Sequence, residues 1–202
     1  MFDVLIIGGG ASGVSCALIL GSAQHKDFAK NKNIAIVTHQ KASSLQDAIF
    51  YNSYGTDSGK LGSQILTDSL SQLTENYNHI LQIPNEKVAA VNRIDSHFEI
   101  VTNKNTYFSK IVVIAVGSSN AFGIKGLEQY IEPHKKSLVE KNRIQLKNRD
   151  HKVTDGIYVA GTLAGHRSQL PIAAGSGAAV ATDILVLWNN GLETHIHDSI
   201  RT

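Results

Sequence analysis

The chain has 202 residues, 42% of them hydrophobic, and a formal net charge of +2 at pH 7. This length allows one sizeable hydrophobic core and is short for two full domains. A charge so close to zero, without a dense run of Lys and Arg, does not support nucleic-acid binding. The one cysteine, Cys16, excludes an internal disulfide and an intramolecular dithiol relay.

The start of the chain and its longest apolar stretch both argue against a membrane protein. No basic segment precedes the apolar residues 4–7, so we expect no signal peptide. A spanning helix needs about 20 predominantly apolar residues, whereas the stretch around residues 170–188 is interrupted by Gly175, Gly177 and Asp183. We expect a protein without a membrane span, located in the cytoplasm.

The first elements form a pattern typical of a βαβ unit. The apolar residues 4–7 predict a buried strand, and residues 14–20 predict an almost wholly apolar helix. Residues 34–37 predict a second buried strand, after a polar stretch at 21–33 that we interpret as a helix extension or a surface loop. The handedness of such units places both strands in a parallel sheet.

The next segment predicts a helix of moderate length. Residues 40–58 are polar and irregular apart from a short apolar group at 49–51. A helix follows, because leucines recur at helical spacing and polar residues before them can cap it. The spaced leucines are Leu66, Leu70 and Leu73, and the candidate caps are Thr56, Asp57 and Ser58.

Short strands follow the helix. Alternating apolar residues predict strands at 80–83, 88–94, 98–101 and 106–108. The turn-like residues 103–105 predict that the last two pair as a hairpin.

The last third of the chain returns to buried elements. Residues 111–116 predict a buried strand that ends at Gly117, and the polar residues 118–150 form a connection with one possible strand at 143–146. Residues 156–161 predict a final short strand, and residues 172–187 a final helix. The order of elements predicts one α/β domain over residues 1–202, a doubly wound Rossmann-like parallel sheet with a small antiparallel β-meander insertion.

The pattern Gly8-x-Gly10-x-x-Gly13 lies between a predicted buried strand and an apolar helix, the context that makes this fingerprint indicative of a dinucleotide. Gly8 permits the tight turn, Gly10 lets the backbone approach a pyrophosphate, and Gly13 lets helix and strand pack closely. Because a helix N-terminus offers free N–H groups to phosphates, we expect Ala11 and Ser12 to belong to the site. A glycine-rich turn without a ligand is the alternative, and the motif does not specify which dinucleotide binds.

The end of the second strand lacks the acidic residue that usually holds ribose hydroxyls in such sites. Thr38 stands there instead and can make one weaker hydrogen bond. His39 and Lys41 follow and would suit a 2′-phosphate, although the better interpretation of both is ordinary loop residues.

Residues near the C-terminus resemble the closing FAD motif of the thioredoxin-reductase family of pyridine nucleotide-disulfide oxidoreductases. The resemblance lies in the sequence Gly-Ile-Tyr-Val-Ala-Gly-Thr at 156–162, in Gln169, and in Ala-Ala-Gly-Ser-Gly-Ala-Ala at 173–179. It implies that Gly161 and Thr162 bond the ribityl chain and that backbone at Gln169 and Leu170 lies against the flavin ring. It also implies that the last helix points its N-terminus at the flavin, where its dipole would stabilise negative charge.

Three weaker matches follow the family's order along the chain. Ala115 and Gly117 end a strand that looks like the family's Ala-Thr-Gly strand, Asn52 lies where the family has a turn beside the flavin, and Val88 lies where backbone reads the adenine. Thr162 and Thr38 depart from the family, because each replaces a carboxylate with a hydroxyl that can still bond sugar oxygens.

The family's nicotinamide domain lies between the Ala-Thr-Gly strand and the closing strand, an interval that corresponds here to residues 118–150. A dinucleotide domain needs roughly 100 residues and a second glycine fingerprint, and this interval contains neither. The family's Cys-x-x-Cys is also absent, and Cys16 is interpreted as a small buried hydrophobe. The resemblance therefore implies a single FAD-binding domain that cannot by itself pass electrons from nicotinamide through flavin to a disulfide.

Three functional hypotheses stay open. The first is a flavoprotein oxidoreductase with FAD as the redox centre and electrons from NAD(P)H or a partner protein, without an identifiable catalytic side chain. The second is a non-enzymatic FAD-binding module or the subunit of a split reductase, and the third is an NAD(P)-binding Rossmann protein, favoured by the missing carboxylates and Lys41. An exposed flavin face would favour a homodimer or a separate redox partner.

A few other polar residues are weaker candidates. Ser168 and Ser176 lack a nucleophile elbow, and His166 and Arg167 fit a solvated loop as well as a flavin loop. The remaining group, His195 and His197 near Asp198, could chelate a metal, but a frayed tail is the better interpretation.

Overall fold

The structure is a computed structural model that describes residues 1–39 and 45–197. Within these residues the elements in chain order are β1 (Phe2–Ile7), α1 (Ala11–Ser22), β2 (Ile34–Thr38), β3 (Ile49–Phe50), β4 (Lys60–Leu61), α2 (Gly62–Asn76), β5 (Leu81–Pro84), β6 (Val88–Ile94), β7 (His97–Thr102), β8 (Thr106–Ile114), β9 (Ile131–Pro133), β10 (Ile144–Leu146), β11 (Lys152–Thr154), β12 (Ile157–Val159) and α3 (Leu170–Trp188). Short 3-10 helices lie at Ala23–His25, Glu128–Tyr130, Val139–Lys141 and Gly161–Ala164.

The central sheet has five parallel strands in the order β12-β8-β1-β2-β5, and β11 pairs antiparallel with β12 at one edge. Strands β6 and β7 form an antiparallel meander with the first half of β8. This arrangement confirms the predicted Rossmann-like α/β fold with a small antiparallel insertion.

The central strand β1 is apolar on both faces, as expected of a strand covered on both sides. Val4 and Ile6 face a cluster that includes side chains of α1, α2 and α3. Leu5 and Ile7 face a second cluster, built from the meander and from the segments between β8 and α3. The three α-helices of the described chain therefore pack on one face of the sheet, and the meander with the segments between β8 and α3 covers the other.

Strand β8 corrects the predicted strand boundaries, because it joins two segments that the sequence separates. The polar pair Ser109-Lys110 interrupts the apolar pattern, yet the strand continues through it. The Ser109 hydroxyl donates to the Ile111 carbonyl at 2.7 Å, and the Lys110 ammonium pairs with Asp3 at 2.9 Å. Partners for both polar groups allow one nine-residue strand to serve the meander and the parallel sheet.

Helix α2 also begins later than predicted. Residues 56–58 lie in the loop between β3 and β4 and do not cap it. The helix starts at Gly62, whose N–H donates to the Ala48 carbonyl at 2.8 Å, and the Gln64 side chain accepts the Leu61 N–H at 3.3 Å. The β3–β4 pairing, which fixes this start, is not visible in local sequence.

Two further strands differ from the prediction. Strand β5 was expected among the short strands that follow α2, and it extends the parallel sheet beside β2 instead of joining the meander. In the connection, β10 was predicted, but its partner β9 was not. The sequence pattern does not show which of several short strands become neighbours.

Helix α3 is long and apolar enough to cross a membrane by length and composition alone. Its buried side chains include Val180, Ala181, Ile184 and Leu185, which belong to the core cluster shared with α1. Cys16 lies in the same cluster and is fully buried, as predicted, and burial raises the pKa of its thiol above the usual range.

Candidate nucleotide-binding site

The turn from β1 to α1 is held closely against β8. Gly8 has a φ of +119°, and a Cβ at this position would come within 2.5 Å of the Ala115 carbonyl oxygen. Its N–H donates to the Val37 carbonyl at 3.0 Å, and the Ala115 N–H donates to the Ile7 carbonyl at 2.8 Å. Glycine is therefore required at the start of the fingerprint by both conformation and space.

The first turn of α1 presents free N–H groups. Gly10 is the N-cap residue and has no side chain to cap the helix, and the first helical bond runs from the Val14 N–H to the Gly10 carbonyl at 2.9 Å. Among the described residues, nothing accepts the N–H groups of Ala11, Ser12 and Gly13. With no acidic residue in this turn, the helix end is arranged to bind an anion.

The N-terminal and C-terminal glycine motifs meet at Ser12. A Cβ on Gly177 would overlap the Ser12 carbonyl oxygen, and a Cβ on Gly161 would lie 2.8 Å from the Ser12 hydroxyl. The Gly161 N–H also donates to the Ser176 hydroxyl at 2.9 Å. The two motifs, separated by most of the chain, thus contact each other.

Two other glycines border open space. In the described structure, no atom lies within 4 Å of the position that a Cβ would take on Gly117 or on Gly175, apart from the adjoining residues and the nearby backbone of α3. Gly117 follows β8 beyond Ala115, and Gly175 lies near the start of α3; both residues are exposed. Space left beside the backbone at these two places suits a flat ligand.

Thr38 ends β2 beside the glycine turn and is 3% exposed. Its carbonyl accepts the Asn85 N–H at 3.1 Å, but its hydroxyl has no hydrogen-bond partner within residues 1–39 and 45–197. A buried hydroxyl without a partner is unfavourable, so this group is suited to a ligand. His39 is exposed, and Lys41 lies outside the described residues.

Val88 is buried at the start of β6, next to a polar network that the sequence did not indicate. Glu86, only 6% exposed, accepts hydrogen bonds from the Thr102 hydroxyl at 2.6 Å, the Asn105 amide at 2.7 Å and the Tyr107 hydroxyl at 2.9 Å. These hydrogen bonds hold the pKa of Glu86 below its usual value. The bond from the Thr102 hydroxyl contributes most, and the bonds from the Asn105 amide and the Tyr107 hydroxyl lower the pKa further. The network anchors the turn that carries Val88.

Asn52 is a predicted site residue on the protein surface. It is exposed in the loop between β3 and β4, where Tyr51 and Tyr54 are 71% and 99% exposed. In the described structure its side chain makes no hydrogen bond, and its place beside a flavin stays a prediction.

The loop from β12 to α3 contains the remaining predicted residues. Gly161 begins a 3-10 helix that ends at Ala164 and is capped by Gly165, whose N–H donates to the Thr162 carbonyl at 3.0 Å. Gln169 is the N-cap of α3, its carbonyl accepts the Ala173 N–H at 2.9 Å, and its side chain makes no cap bond. Leu170 is half-buried and begins the helix, two residues earlier than predicted, so backbone at Gln169 and Leu170 lies at the helix N-terminus.

A histidine pair behind this loop was not predicted. His151 Nε2 lies 2.9 Å from His166 Nε2 and 3.2 Å from the Ser176 hydroxyl, which also accepts the Gly161 N–H. Burial lowers the pKa of both imidazoles, and the neighbouring His151 lowers that of His166 further. His151 precedes β11 in a turn with no recognisable motif, so only the folded chain reveals it.

The predicted metal candidates gain no support. The rings of His195 and His197 are 5.0 Å apart, and the described residues contain no group of three His, Cys, Asp or Glu that could hold a metal. Asp198 lies outside the described residues.

Residues 2–162 match the family described as pyridine nucleotide-disulphide oxidoreductase. The chain belongs to this family. It is 24% identical over 161 residues to ferredoxin–NADP reductase 2 of Listeria welshimeri, covering 77% of this chain and 43% of the relative. It is 27% identical over 137 residues to ferredoxin–NADP reductase of Halalkalibacterium halodurans, covering 64% of this chain and 40% of the relative. The chain thus spans less than half the length of these relatives.

Solved structures of the same fold include thioredoxin reductases. A thioredoxin reductase from Gloeobacter violaceus superposes with a TM-score of 0.71 at 14% identity, covering 99% of each chain. One from Streptococcus pyogenes superposes with a TM-score of 0.69 at 13% identity, covering 95% of this chain and 99% of that chain. These similarities show the shared fold.

Proposed function

We propose that the chain binds one FAD non-covalently and acts as a small flavin-dependent oxidoreductase. The observation that carries the proposal is the meeting of the two glycine motifs at Ser12. Because the two motifs are in contact, the free N–H groups of α1 and the backbone near Gly161 would together hold the two halves of one flavin dinucleotide. Family membership supports a flavin as the ligand.

Each part of the site has a chemical role in this proposal. The N–H groups of Ala11, Ser12 and Gly13 would hold the pyrophosphate. The Thr38 hydroxyl would form a hydrogen bond with a hydroxyl of the adenosine ribose. Backbone at Val88 would face the adenine.

The C-terminal loop would hold the flavin half. Gly161 and the Thr162 hydroxyl would bond the ribityl chain, and backbone at Gln169 and Leu170 would lie beside the ring. The N-terminus of α3, which has no acidic residue in its first turn, would stabilise negative charge on the ring. When bound, the flavin would supply the hydride or electron transfer.

The electron donor in this proposal is NAD(P)H or a separate redox protein. Relatives are named ferredoxin–NADP reductase, and this chain has one buried cysteine instead of a dithiol pair. The flavin would then exchange electrons with a partner directly. Association with a partner or a second copy, and a cytoplasmic location, are part of the same proposal.

The experiment is anaerobic stopped-flow reduction of the FAD-loaded protein. Loss of flavin absorbance on mixing with NADPH or NADH, at a rate that increases with donor concentration, is the expected result. If neither donor reduces the flavin but dithionite does, the chain is a binding module or a split-reductase subunit that needs a second protein.

An NAD(P)-binding protein without flavin is the second candidate. It is favoured by Thr38, since the usual ribose-binding carboxylate is absent at the end of β2. Equilibrium dialysis of the ligand-free protein against equal concentrations of FAD and NADP separates the two candidates. Retention of NADP with no retention of FAD would replace the flavin assignment.

A further inference from the structure

A basic pocket lies beside the loop that precedes α3. It encloses about 200 Å³ and is lined by four permanent cations, two imidazoles and two serine hydroxyls. The cations and imidazoles are Lys136, Lys141, Arg143, Arg167, His134 and His166. Most of them come from residues 118–150, a connection that carries no recognisable sequence motif.

The cations in this pocket have no acidic counterpart. Among the described residues that line it, none is Asp or Glu, and none of its Lys or Arg side chains forms a salt bridge within residues 1–39 and 45–197. By contrast, the neighbouring Lys135 points to Glu132 at 2.7 Å. All four cations are exposed, so solvent and salt screen their mutual repulsion, and an anion bound among them would neutralise part of it.

His134 gives the pocket a buried donor. It is 8% exposed, and its Nδ1 accepts the Lys136 N–H at 3.1 Å. The proton of the neutral ring therefore lies on Nε2. In the part of the chain that the structure describes, Nε2 has no hydrogen-bond partner. A buried N–H donor is usually satisfied by protein, water or a ligand, and an anion bound beside His134 would supply such an acceptor.

We propose that this pocket binds the phosphate or pyrophosphate group of a small phosphorylated molecule. Guanidinium and ammonium groups together suit phosphate oxygens, and the serine hydroxyls add neutral donors. Ligand sites for drug-sized molecules enclose about 300–1,000 Å³, so this smaller pocket fits a phosphate group alone or at one end of a larger molecule. The pocket is separate from the glycine turn, and it does not depend on FAD binding.

The pocket adjoins the loop that leads into α3. His166, Arg167 and Ser168 line it and immediately precede Gln169 at the start of α3. A ligand anchored here by its phosphate would extend beside the loop where the proposed flavin lies. In this proposal, the 118–150 connection recognises a phosphorylated substrate or electron donor.

The test is calorimetric titration of the protein with inorganic pyrophosphate, in excess FAD so that the glycine turn is not available. The paired variant Lys141→Gln/Arg143→Gln removes two exposed cations from the pocket without touching the core. We expect the native protein to bind pyrophosphate at micromolar to millimolar concentration and the variant to bind at least roughly tenfold more weakly. The matched control, Lys104→Gln/Lys125→Gln, removes two exposed lysines outside the pocket and should change affinity by less than roughly twofold.

Three results would overturn the proposal. They are no saturable binding of pyrophosphate, equal weakening in both paired variants, and binding of a poly-glutamate peptide without binding of pyrophosphate. The last result would assign the cations to an acidic protein. Thermal melts of each variant verify folding. The comparison of the two paired variants distinguishes pyrophosphate bound in the pocket from pyrophosphate bound at the glycine turn, whether or not FAD occupies that turn.

Discussion

The glycines of the site fall into two groups with opposite surroundings. Gly8, Gly13 and Gly177, here the packed glycines, leave no room for a Cβ because backbone of another segment lies against them. Gly117 and Gly175, here the open glycines, face empty space. Sequence motifs include both groups without distinguishing them. The packed glycines are required by the fold, whereas nothing in the described fold requires a glycine at the open positions.

Two buried polar groups show the same contrast. The Glu86 carboxylate has three hydrogen-bond donors around it, and the Thr38 hydroxyl has none among the described residues. A satisfied buried group supports the fold, and an unsatisfied one indicates a binding partner. Substitutions in the two groups should therefore separate loss of stability from loss of ligand.

The largest effect is expected from Gly13→Ala. The new Cβ would overlap the Gly8 carbonyl and approach the Ala115 Cβ at 3.3 Å, so α1 must move away from β1. We expect the free energy of unfolding to fall by about 3 kcal/mol, measured by urea denaturation. Unchanged stability would show that the β1–α1 turn is not packed as described.

Glu86→Ala should have the next largest effect, because Thr102, Asn105 and Tyr107 lose their acceptor. We expect a loss of about 2 kcal/mol, measured in the same way. The folded-state pKa of Glu86 is lowered, so its stabilisation is present above the unfolded pKa of about 4.3 and is lost as the pH falls through the lower folded value. A stability difference that persists in strong acid would contradict the network.

Thr38→Val should weaken FAD binding with little effect on folding. Removing a buried hydroxyl that has no protein partner does not cost protein contacts, so stability should stay the same or rise. Loss of one hydrogen bond to the ligand should weaken the affinity roughly fivefold, measured by flavin fluorescence titration. Thr38→Ser, which keeps the hydroxyl, is the control and should bind like the native protein.

Gly175→Ala sharpens the contrast with Gly13→Ala, because the same substitution is made at an open glycine in a helix. The ligand-free protein should gain up to about 1 kcal/mol, since alanine favours helix more than glycine. Affinity for FAD should fall, because the methyl group occupies space reserved for the ligand. Increased stability together with unchanged affinity would remove the ligand explanation of the open glycines.

The smallest effect concerns the basic pocket. The free-state pKa of His166 is lowered by burial first and then by His151, Lys136 and His134, and Arg167 adjoins it. An anion in the pocket would raise this pKa, so sulfate, whose charge is constant in this range, should bind roughly twofold to threefold more tightly as the pH falls through the bound-state value. Affinity that is independent of pH would place the anion away from His166.

The sequence predicted those parts of the molecule that depend on local pattern. The apolar runs of β1 and β2, the glycine fingerprint and the final helix follow from residue order alone. The sequence did not predict contacts that depend on distant segments. The continuity of β8 depends on Asp3 pairing with Lys110, and the start of α2 depends on Ala48.

The candidate site divides in the same way. Gly8, Gly13 and Gly161 were identified because their spacing is a motif. The Glu86 network, the His151–His166 pair and the basic pocket were missed, because each assembles single polar residues from separate segments. Asn52 was included on a weak match and lies in an exposed loop. The predicted contacts with FAD stay predictions for the experiments above.

The central claim is that one flavin dinucleotide spans both glycine motifs. Its most direct test is to release the bound nucleotide from the purified protein by heat and quantify it against the chain. We predict FAD at one equivalent per chain, and a ligand-free protein that regains one equivalent on titration. A colourless protein that takes up NADP and no FAD would contradict the account.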